Sequence, residues 1–127
     1  MAGRLSTCHP RRASRDWERS IADATTDDLR AATIQVEKIG GPVLALAGAS
    51  DDLWPSCGSV RAIVAALKDA GHSKAYPADT GTCYEDAGHS LTFAGSPTTE
   101  ASFIRTADGW FALGGTAKGI AGAQREA

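Results

Sequence analysis

Two apolar segments near the middle of the chain predict a pair of β-strands. Residues 43–48 form a short apolar run without a polar face, which is typical of a strand buried on both sides. Residues 80–84, Thr-Gly-Thr-Cys-Tyr, have the β-branched and aromatic bias of a strand. Between the two segments, apolar residues recur at helical spacing before a C-capping Gly71: Val60, Ile63, Val64 and Leu67. The pattern therefore predicts a strand, a helix and a second strand.

The connection between these strands determines where polar side chains should meet. A strand–helix–strand unit is right-handed and makes its strands parallel, so both carboxyl ends lie on one edge of the sheet. Asp51 follows the first strand, and His89 follows the second. We therefore expect an α/β fold with both side chains on the rim where open parallel sheets place their sites.

The remaining pattern predicts shorter elements and loops. Residues 21–32 favour a short helix with Thr26 as N-cap, and residues 34–39 alternate apolar and polar positions as strands do. Residues 72–79 are expected to form a polar loop. Residues 90–109 are rich in Ser, Thr, Gly and Pro, which predicts a long loop able to shape a substrate pocket.

The two ends of the chain differ from its middle. Residues 1–20 contain five arginines and few large apolar side chains, so they are expected to be a disordered tail before a domain over residues 21–127. Asp16 and Glu18 interrupt the basic residues, which argues against an arm that binds nucleic acid. Residues 114–127 begin a helix that is short for an independent element. We therefore expect a partial domain with a truncated final helix.

Composition and charge narrow the classes of function. The chain has 127 residues, 43% of them hydrophobic, and a formal net charge of −2, which gives no general attraction to nucleic acid or to an anionic membrane. There is no signal-peptide pattern and no run of about 18 apolar residues. The three cysteines, Cys8, Cys57 and Cys83, match neither a disulfide framework nor a zinc motif. A reducing, cytoplasmic location is expected.

Asp51 and His89 have the chemistry of two members of a nucleophile–histidine–acid triad. In such a triad the histidine accepts the proton of the nucleophile, and the acid holds the imidazole in the required tautomer. Asp52 is the alternative acid, but Asp51 lies nearer the end of the strand. A further alternative is that Asp51 only forms an Asx-turn beside a helix cap. We assign no role to His9, in the tail, or to His72, which is expected to be solvated or to cap carbonyls.

The nucleophile of this triad is missing from the sequence. The Gly-x-Ser-x-Gly elbow that suits such an acid and histidine does not occur. Ser56, Cys57 and Ser90 lie beside the site residues, but each is better explained as a turn or cap residue. A metal site formed by Cys57, Cys83 and His89 is disfavoured because the close-paired ligands of zinc sites do not occur. We expect neither a metal nor a cofactor.

Four groups of residues occur in an order and spacing that is typical of one family: IQVEKIGGPVLALAG at 34–48, DDLWPS at 51–56, YEDAGH at 84–89, and Gly114-Gly115 with Ala123-Gln124. They resemble the C-terminal domain of acyl-CoA thioester hydrolases and bile acid-CoA:amino acid N-acyltransferases, which are α/β-hydrolases related to dienelactone hydrolases. The family's aspartate and histidine fall on Asp51 and His89.

The resemblance implies the C-terminal part of an α/β-hydrolase fold with an incomplete sheet. It also implies hydrolysis or transfer of a thioester-bound acyl group through a serine or cysteine acyl-enzyme. The expected substrate is an acyl-CoA or an ester once a missing N-terminal half supplies the nucleophile, so the chain alone is expected to be inactive. A dienelactone hydrolase or carboxylesterase-like enzyme is one alternative. A non-catalytic interaction module, which pairs an exposed sheet edge with a partner, is an alternative of another class.

Overall fold

Five α-helices, a short 3-10 helix and four strands form the part of the chain that the computed structural model describes, residues 10–91 and 103–126. Their order is α1 (Ser14–Asp23), α2 (Thr26–Ala32), the 3-10 helix (Val36–Lys38), β1 (Leu44–Gly48), α3 (Ser56–Asp69), α4 (His72–Ala75), β2 (Thr80–Tyr84), β3 (Phe103–Thr106), β4 (Gly109–Ala112) and α5 (Ala117–Glu126). Among these described residues, no helix has the length and apolar character that spanning a bilayer requires.

Strands β1 and β2 form a parallel pair, as the sequence predicts. Their register runs from Leu44 opposite Thr80 to Gly48 opposite Tyr84, so both strands end at the same edge. The strand–helix–strand unit is therefore confirmed as a small α/β arrangement, with α3 connecting the two strands and packing against both. This shared edge carries the turns that contain Asp51 and His89.

Helix α3 covers one face of this sheet. The buried cluster at the contact contains Ala45 and Ala47 of β1 and Val60 of α3. Side chains alternate between the two faces of a strand, so Leu44 points away from α3, and it is 60% exposed. The expectation that this strand is buried on both sides is therefore wrong at Leu44, because no described element covers it there.

The predicted helix between the strands is present and longer than expected. It begins at Ser56 and ends at Asp69, two residues before Gly71, whose φ of 74° is the left-handed conformation of a glycine that follows a helix. A further helix, α4, occupies His72–Ala75, where the sequence predicted a polar loop. That prediction is wrong for these four residues, because hydrogen bonds described below bury the side chain of His72.

The N-terminal region forms two helices where the sequence predicted one over residues 21–32. The break falls after Asp23, and Thr25 rather than Thr26 is the N-cap of α2. Thr25 Oγ1 accepts the N–H of Asp28, and the Asp28 carboxylate accepts the N–H of Thr25, each at 3.2 Å. This reciprocal capping box satisfies two backbone donors and makes a separate helix start favourable.

Helix α1 extends into the segment that the sequence predicted to be disordered. That prediction, made for residues 1–20, is wrong for residues 14–20; residues 1–9 lie outside the described residues. The Trp17 ring packs on the Trp54 ring with their centroids 4.4 Å apart. This contact gives an arginine-rich segment apolar surface to bury, which the basic composition had obscured.

Strands β3 and β4 form an antiparallel hairpin in a region that was expected to be loop. Thr106 Oγ1 accepts the N–H of Asp108 at 3.2 Å, and Gly109 adopts a φ of 121°, so local turn chemistry closes the hairpin. The loop prediction is wrong for residues 103–109, while the rest of it at 92–102 lies outside the described residues.

Two other segments complete the comparison with the predicted pattern. The strand-like alternation at residues 34–39 is wrong as a strand, because Val36–Lys38 form the short 3-10 helix. A helix does begin in the last segment, and α5 runs for ten residues from Ala117. Thr116 Oγ1 accepts the N–H of Gly119 at 3.0 Å and so caps its first turn.

Candidate active site

The turn between β1 and α3 holds Asp51 in a defined orientation. Its Oδ1 accepts the backbone N–H groups of Leu53 and Trp54, both at 2.9 Å, and its side chain is 4% exposed. These bonds are the Asx-turn contacts that the sequence offered as an alternative to a chemical role. They use one carboxylate oxygen and leave the other available.

The second oxygen of Asp51 contacts His89. Asp51 Oδ2 lies 3.0 Å from His89 Nδ1, and the His89 side chain is 44% exposed. Among the described residues, no atom forms a hydrogen bond with His89 Nε2. A carboxylate at Nδ1 favours the tautomer in which Nδ1 carries the proton, so Nε2 is left as the proton acceptor of the ring.

Backbone contacts from the turn between β4 and α5 hold both site turns together. The Leu113 carbonyl accepts the N–H of His89 at 2.8 Å and the N–H of Asp52 at 3.4 Å. Gly114 forms an isolated antiparallel bridge with Asp51. Sequence reasoning assigned no role to Leu113, and the nearest signal was the adjacent Gly114-Gly115 pair, which contributed only to the family resemblance.

Gly48 and Gly88 allow these turns to approach closely. A Cβ atom at Gly48 would collide with the carbonyl oxygen atoms of Ala87 and Gly88, and one at Gly88 would collide with the backbone of Gly114. Ser50 N–H donates to Ala87 O at 2.9 Å across the same contact. The distance between Asp51 and His89 therefore depends on backbone packing that larger residues would prevent.

The neighbouring carboxylate, Asp52, takes a different partner. Asp52 Oδ2 lies 3.4 Å from Arg12 Nε, and its side chain is 24% exposed. The backbone carbonyl of Asp52 accepts the N–H of Ser14 at 3.0 Å. Asp52 therefore joins the turn between β1 and α3, called the acid turn below, to the start of α1. The structure thus brings Asp51, and not Asp52, to His89.

The nucleophilic residues beside the site are engaged elsewhere or lie on its rim. Ser56 Oγ donates to the Gly48 carbonyl at 3.2 Å and ties the start of α3 to the end of β1. Cys57 and Cys83 form a disulfide, with their Cα atoms 5.7 Å apart. The number and spacing of the cysteines did not indicate this bond, because only the fold brings together residues that are 26 positions apart. Ser90, directly after His89, is half-buried.

A family model for the C-terminal domain of BAAT and acyl-CoA thioester hydrolases matches residues 11–127. The chain belongs to this family. No curated protein sequence matches it significantly. The residues that match this acyl-CoA thioester hydrolase C-terminal domain include α1, most of which was predicted to lie in a disordered tail. They also include the turns that contain Asp51 and His89.

A cavity of about 550 Å³ lies beside the acid turn of this domain. Its lining includes Ile21 of α1, Trp54 and Pro55 of the turn, Arg61 of α3, and Asp51. Trp54 is 36% exposed, packs on Trp17, and donates from Nε1 to Ser59 Oγ at 3.4 Å. These contacts join the turn between β1 and α3 to α1 and to the first turn of α3.

A second histidine–aspartate contact lies at the opposite end of the strands. His72, which was expected to be solvated or to cap carbonyls, has a side chain only 5% exposed. Its Nδ1 lies 2.7 Å from Asp79 Oδ2, and its Nε2 lies 2.7 Å from the Ile39 carbonyl. The expectation of solvation is wrong, whereas contact with a carbonyl is present. In the sequence, no spacing rule connects these residues.

Hydrogen bonds shift the pKa values of both His72 and Asp79. The hydrogen bond to Asp79 is the main cause of the raised pKa of His72, and the Ile39 carbonyl acts in the same direction. Burial acts to raise the pKa of Asp79, but the hydrogen bonds from His72, the Val43 N–H and the Ser73 hydroxyl prevail and lower it. Both shifts favour the charged pair.

The described residues contain no group of three or more His, Cys, Asp or Glu side chains placed to hold a metal ion. The Cys57, Cys83 and His89 combination that the sequence disfavoured is not such a group, since the two cysteines are bonded to each other.

Proposed function

We propose that this domain supplies the acid and the histidine of a catalytic triad in an α/β-hydrolase that acts on acyl thioesters. The supporting observation is the 3.0 Å contact between Asp51 Oδ2 and His89 Nδ1 at the carboxyl ends of two parallel strands. Membership of the acyl-CoA thioester hydrolase family supports a thioester as the substrate class. A simple ester would be the substrate of the alternative, dienelactone hydrolase-like enzyme.

The proposed roles follow from the two side-chain environments. His89 Nε2, on a side chain that is 44% exposed, would take the proton of the attacking hydroxyl or thiol and return it to the leaving group. Asp51, whose side chain is 4% exposed, would keep the Nδ1 proton in place and stabilise the imidazolium as it forms. Its contacts with Leu53 and Trp54 N–H groups would prevent the carboxylate from rotating away.

The nucleophile would come from a polypeptide segment that this sequence does not contain. The Gly-x-Ser-x-Gly elbow is missing from the sequence, and Ser56 and Cys57 are already bonded to other groups. An acyl-enzyme would form on that external residue, with His89 and Asp51 acting on it. The isolated chain would therefore have no acyl-CoA hydrolase activity.

Acyl-CoA and simple-ester hydrolysis assays test this proposal. The isolated chain is expected to show no turnover above background with either substrate. When the chain is joined to the coding sequence upstream of it, turnover is expected to appear, and His89→Ala or Asp51→Asn should reduce kcat by about three to four orders of magnitude. Asp52→Asn is the matched control, since that carboxylate pairs with Arg12, and it should leave kcat within a few-fold.

Two results would contradict the triad assignment. One is turnover by the isolated chain that survives His89→Ala, since that activity would use other residues. The other is an equal loss of kcat in Asp51→Asn and Asp52→Asn in the joined protein. A preference for the simple ester over the acyl-CoA would instead support the dienelactone hydrolase-like alternative.

A further inference from the structure

We propose that His72 and Asp79 are positioning residues for the Asp51–His89 site: they set the register of β1 against β2 and thereby the approach of His89 to Asp51. The link from strand register to catalysis rests on the proposed function. The link from this pair to strand register does not, and it can be measured without any activity.

Asp79 connects the starts of the two strands. It immediately precedes β2, and its Oδ1 accepts the N–H of Val43, which immediately precedes β1, at 2.9 Å. The neighbouring Thr80 N–H donates to the Val43 carbonyl, also at 2.9 Å. These two bonds form the first cross-strand contacts ahead of the ladder, so Asp79 determines which residue of β2 faces the beginning of β1.

His72 in turn determines where Asp79 lies. The Asp79 carboxylate and the Ile39 carbonyl can only accept hydrogen bonds, and each lies 2.7 Å from a different nitrogen of the His72 ring. Both ring nitrogens must therefore donate, which requires the imidazolium. Because the side chains are 5% and 3% exposed, a single buried ion pair joins the chain before β1, helix α4 and the start of β2.

One further acidic side chain favours the charged state of His72. Glu37, on the 3-10 helix, adds an attraction for the imidazolium. Directly after α4, the Tyr76 ring lies with its centroid 4.6 Å from that of His72. The last turn of α3, which packs on α4, carries Lys68 and Asp69, two charges of opposite sign. The negative groups that act directly on the ring are therefore Asp79 and Glu37.

The arrangement is not a second catalytic triad, although Ser73 completes the same set of residue types. Ser73 Oγ donates to Asp79 Oδ2 at 2.8 Å, so the hydroxyl is bonded to the acid and not to the histidine. The second nitrogen of His72 is occupied by the Ile39 carbonyl. No ring nitrogen is left to accept a proton, and this supports a positioning role.

The two strands transmit this constraint to the site. β1 and β2 are each five residues long and pair in a single register from end to end. A slip of one residue would move His89 by about 3.3 Å relative to Asp51 and invert the faces of the strand. That displacement exceeds what the 3.0 Å bond between Asp51 and His89 can tolerate.

Hydrogen exchange and imidazole NMR on the full chain test the proposal. In His72→Ala, the protection factor of the Thr80 amide is expected to fall by about tenfold or more, because a buried carboxylate loses its partner. The downfield signal of the His89 Nδ1 proton, which reports its bond to Asp51, should weaken at the same time. Val60→Ala, which creates a cavity under the same sheet, is the control. It should lower the global stability of the chain and leave the His89 signal unchanged.

A conservative substitution separates bonding from charge. Asn at position 79 can still accept from Val43 and can donate to a neutral His72, so Asp79→Asn should retain the His89 signal that Asp79→Ala loses. Should the alanine variants fail to fold, wild type and Asp79→Asn are compared between about pH 6 and pH 10. The protection factor of the Thr80 amide should then fall as pH rises in the wild type but not in Asp79→Asn, because the His72 imidazolium loses one of its two N–H donors.

Three results would overturn the proposal. The first is a His72 ring that is neutral at pH 6 in the wild type. The second is a Val60→Ala variant that disturbs the His89 signal as much as His72→Ala does. The third is protection of the Thr80 amide that does not change as His72 titrates.

Discussion

At the scale of residues, Asp51 combines two functions that sequence reasoning had treated as alternatives. Its Oδ1 organises the turn by accepting two backbone N–H groups, while its Oδ2 contacts His89. The sequence identified the residue because an aspartate follows an apolar strand at a sheet edge. It could not show that one carboxylate serves both purposes, since this depends on the rotation of a single side chain.

Substitutions at Asp51 should separate these two functions. Asp51→Ala removes the acceptor for Leu53 and Trp54, and loss of such a cap is expected to lower the free energy of unfolding by about 0.5–2 kcal/mol. Asp51→Asn keeps a carbonyl oxygen for the turn and should cost clearly less. Urea unfolding of both variants measures the difference, and equal losses would show that Oδ1 does not stabilise the turn.

The His72–Asp79 contact predicts how stability depends on pH. The pKa of His72 is raised above its ordinary 6.5, so the stability it contributes is complete below pH 6.5 and is lost as pH rises towards the folded-state value. The pKa of Asp79 is lowered from 3.8, so its contribution is complete above pH 3.8 and is lost as pH falls below it. The His72–Asp79 pair therefore contributes its full stability between pH 3.8 and pH 6.5.

Urea unfolding at pH 5.5, 7 and 8.5 should show the free energy of unfolding decreasing across the series. His72→Gln, which does not titrate, should be less stable at pH 5.5 and should lose most of the decrease. A wild-type stability that stays level or rises over this interval would contradict the assignment of a charged His72.

At the scale of elements, the turn between β4 and α5 holds the acid turn and the histidine turn in place. Leu113 bonds to both turns, and Gly114 pairs with Asp51 at a φ of 70°. A Cβ at Gly114 would also meet the backbone of Ser50. The site thus depends on three turns, and only two of them were expected from the strand ends.

Two glycine substitutions should have effects of opposite sign. Gly114→Ala is expected to destabilise the chain by more than about 1 kcal/mol, since neither its φ nor its surroundings suit a side chain. Gly122, inside α5, has open space around it, so Gly122→Ala should stabilise by up to about 1 kcal/mol through helix propensity. Thermal unfolding compares them; two stabilising substitutions would refute the tight packing of the Gly114 turn.

The spacing of apolar residues predicted those elements whose own sequence shows which side chains are buried. Strands β1 and β2 and helix α3 have clear apolar patterns, and their order fixed the parallel pairing and the shared edge. Helix α1 was missed because its stability draws on Trp17 packing against Trp54, a distant residue. The Cys57–Cys83 and His72–Asp79 contacts were missed for the same reason, since both join segments that only the fold brings together.

At the scale of the whole molecule, the described sheet is small and partly uncovered. Only β1 and β2 pair in it, and a parallel sheet normally requires cover on both faces. Leu44 on β1 is 60% exposed, and Ile34 ahead of it is 81% exposed. These apolar side chains are the observation that favours an interaction with a further polypeptide, whether catalytic or not.

Size measurement in solution tests this exposed surface. The isolated chain is expected to associate as its concentration is raised, because an uncovered strand offers both apolar area and unpaired backbone groups. Leu44→Lys should reduce the association without unfolding the chain, since that side chain lies away from α3. A monodisperse monomer that unfolds cooperatively would argue against the need for a covering partner.

The tautomer of His89 tests the central claim most directly, and nitrogen NMR of the isolated chain can observe it. The account predicts that the proton lies on Nδ1, beside Asp51 Oδ2, and that Nε2 is free. Asp51→Asn should move the proton to Nε2, whereas Asp52→Asn should not. A wild-type His89 protonated on Nε2, or unaffected by Asp51→Asn, would contradict the proposed acid–histidine pair.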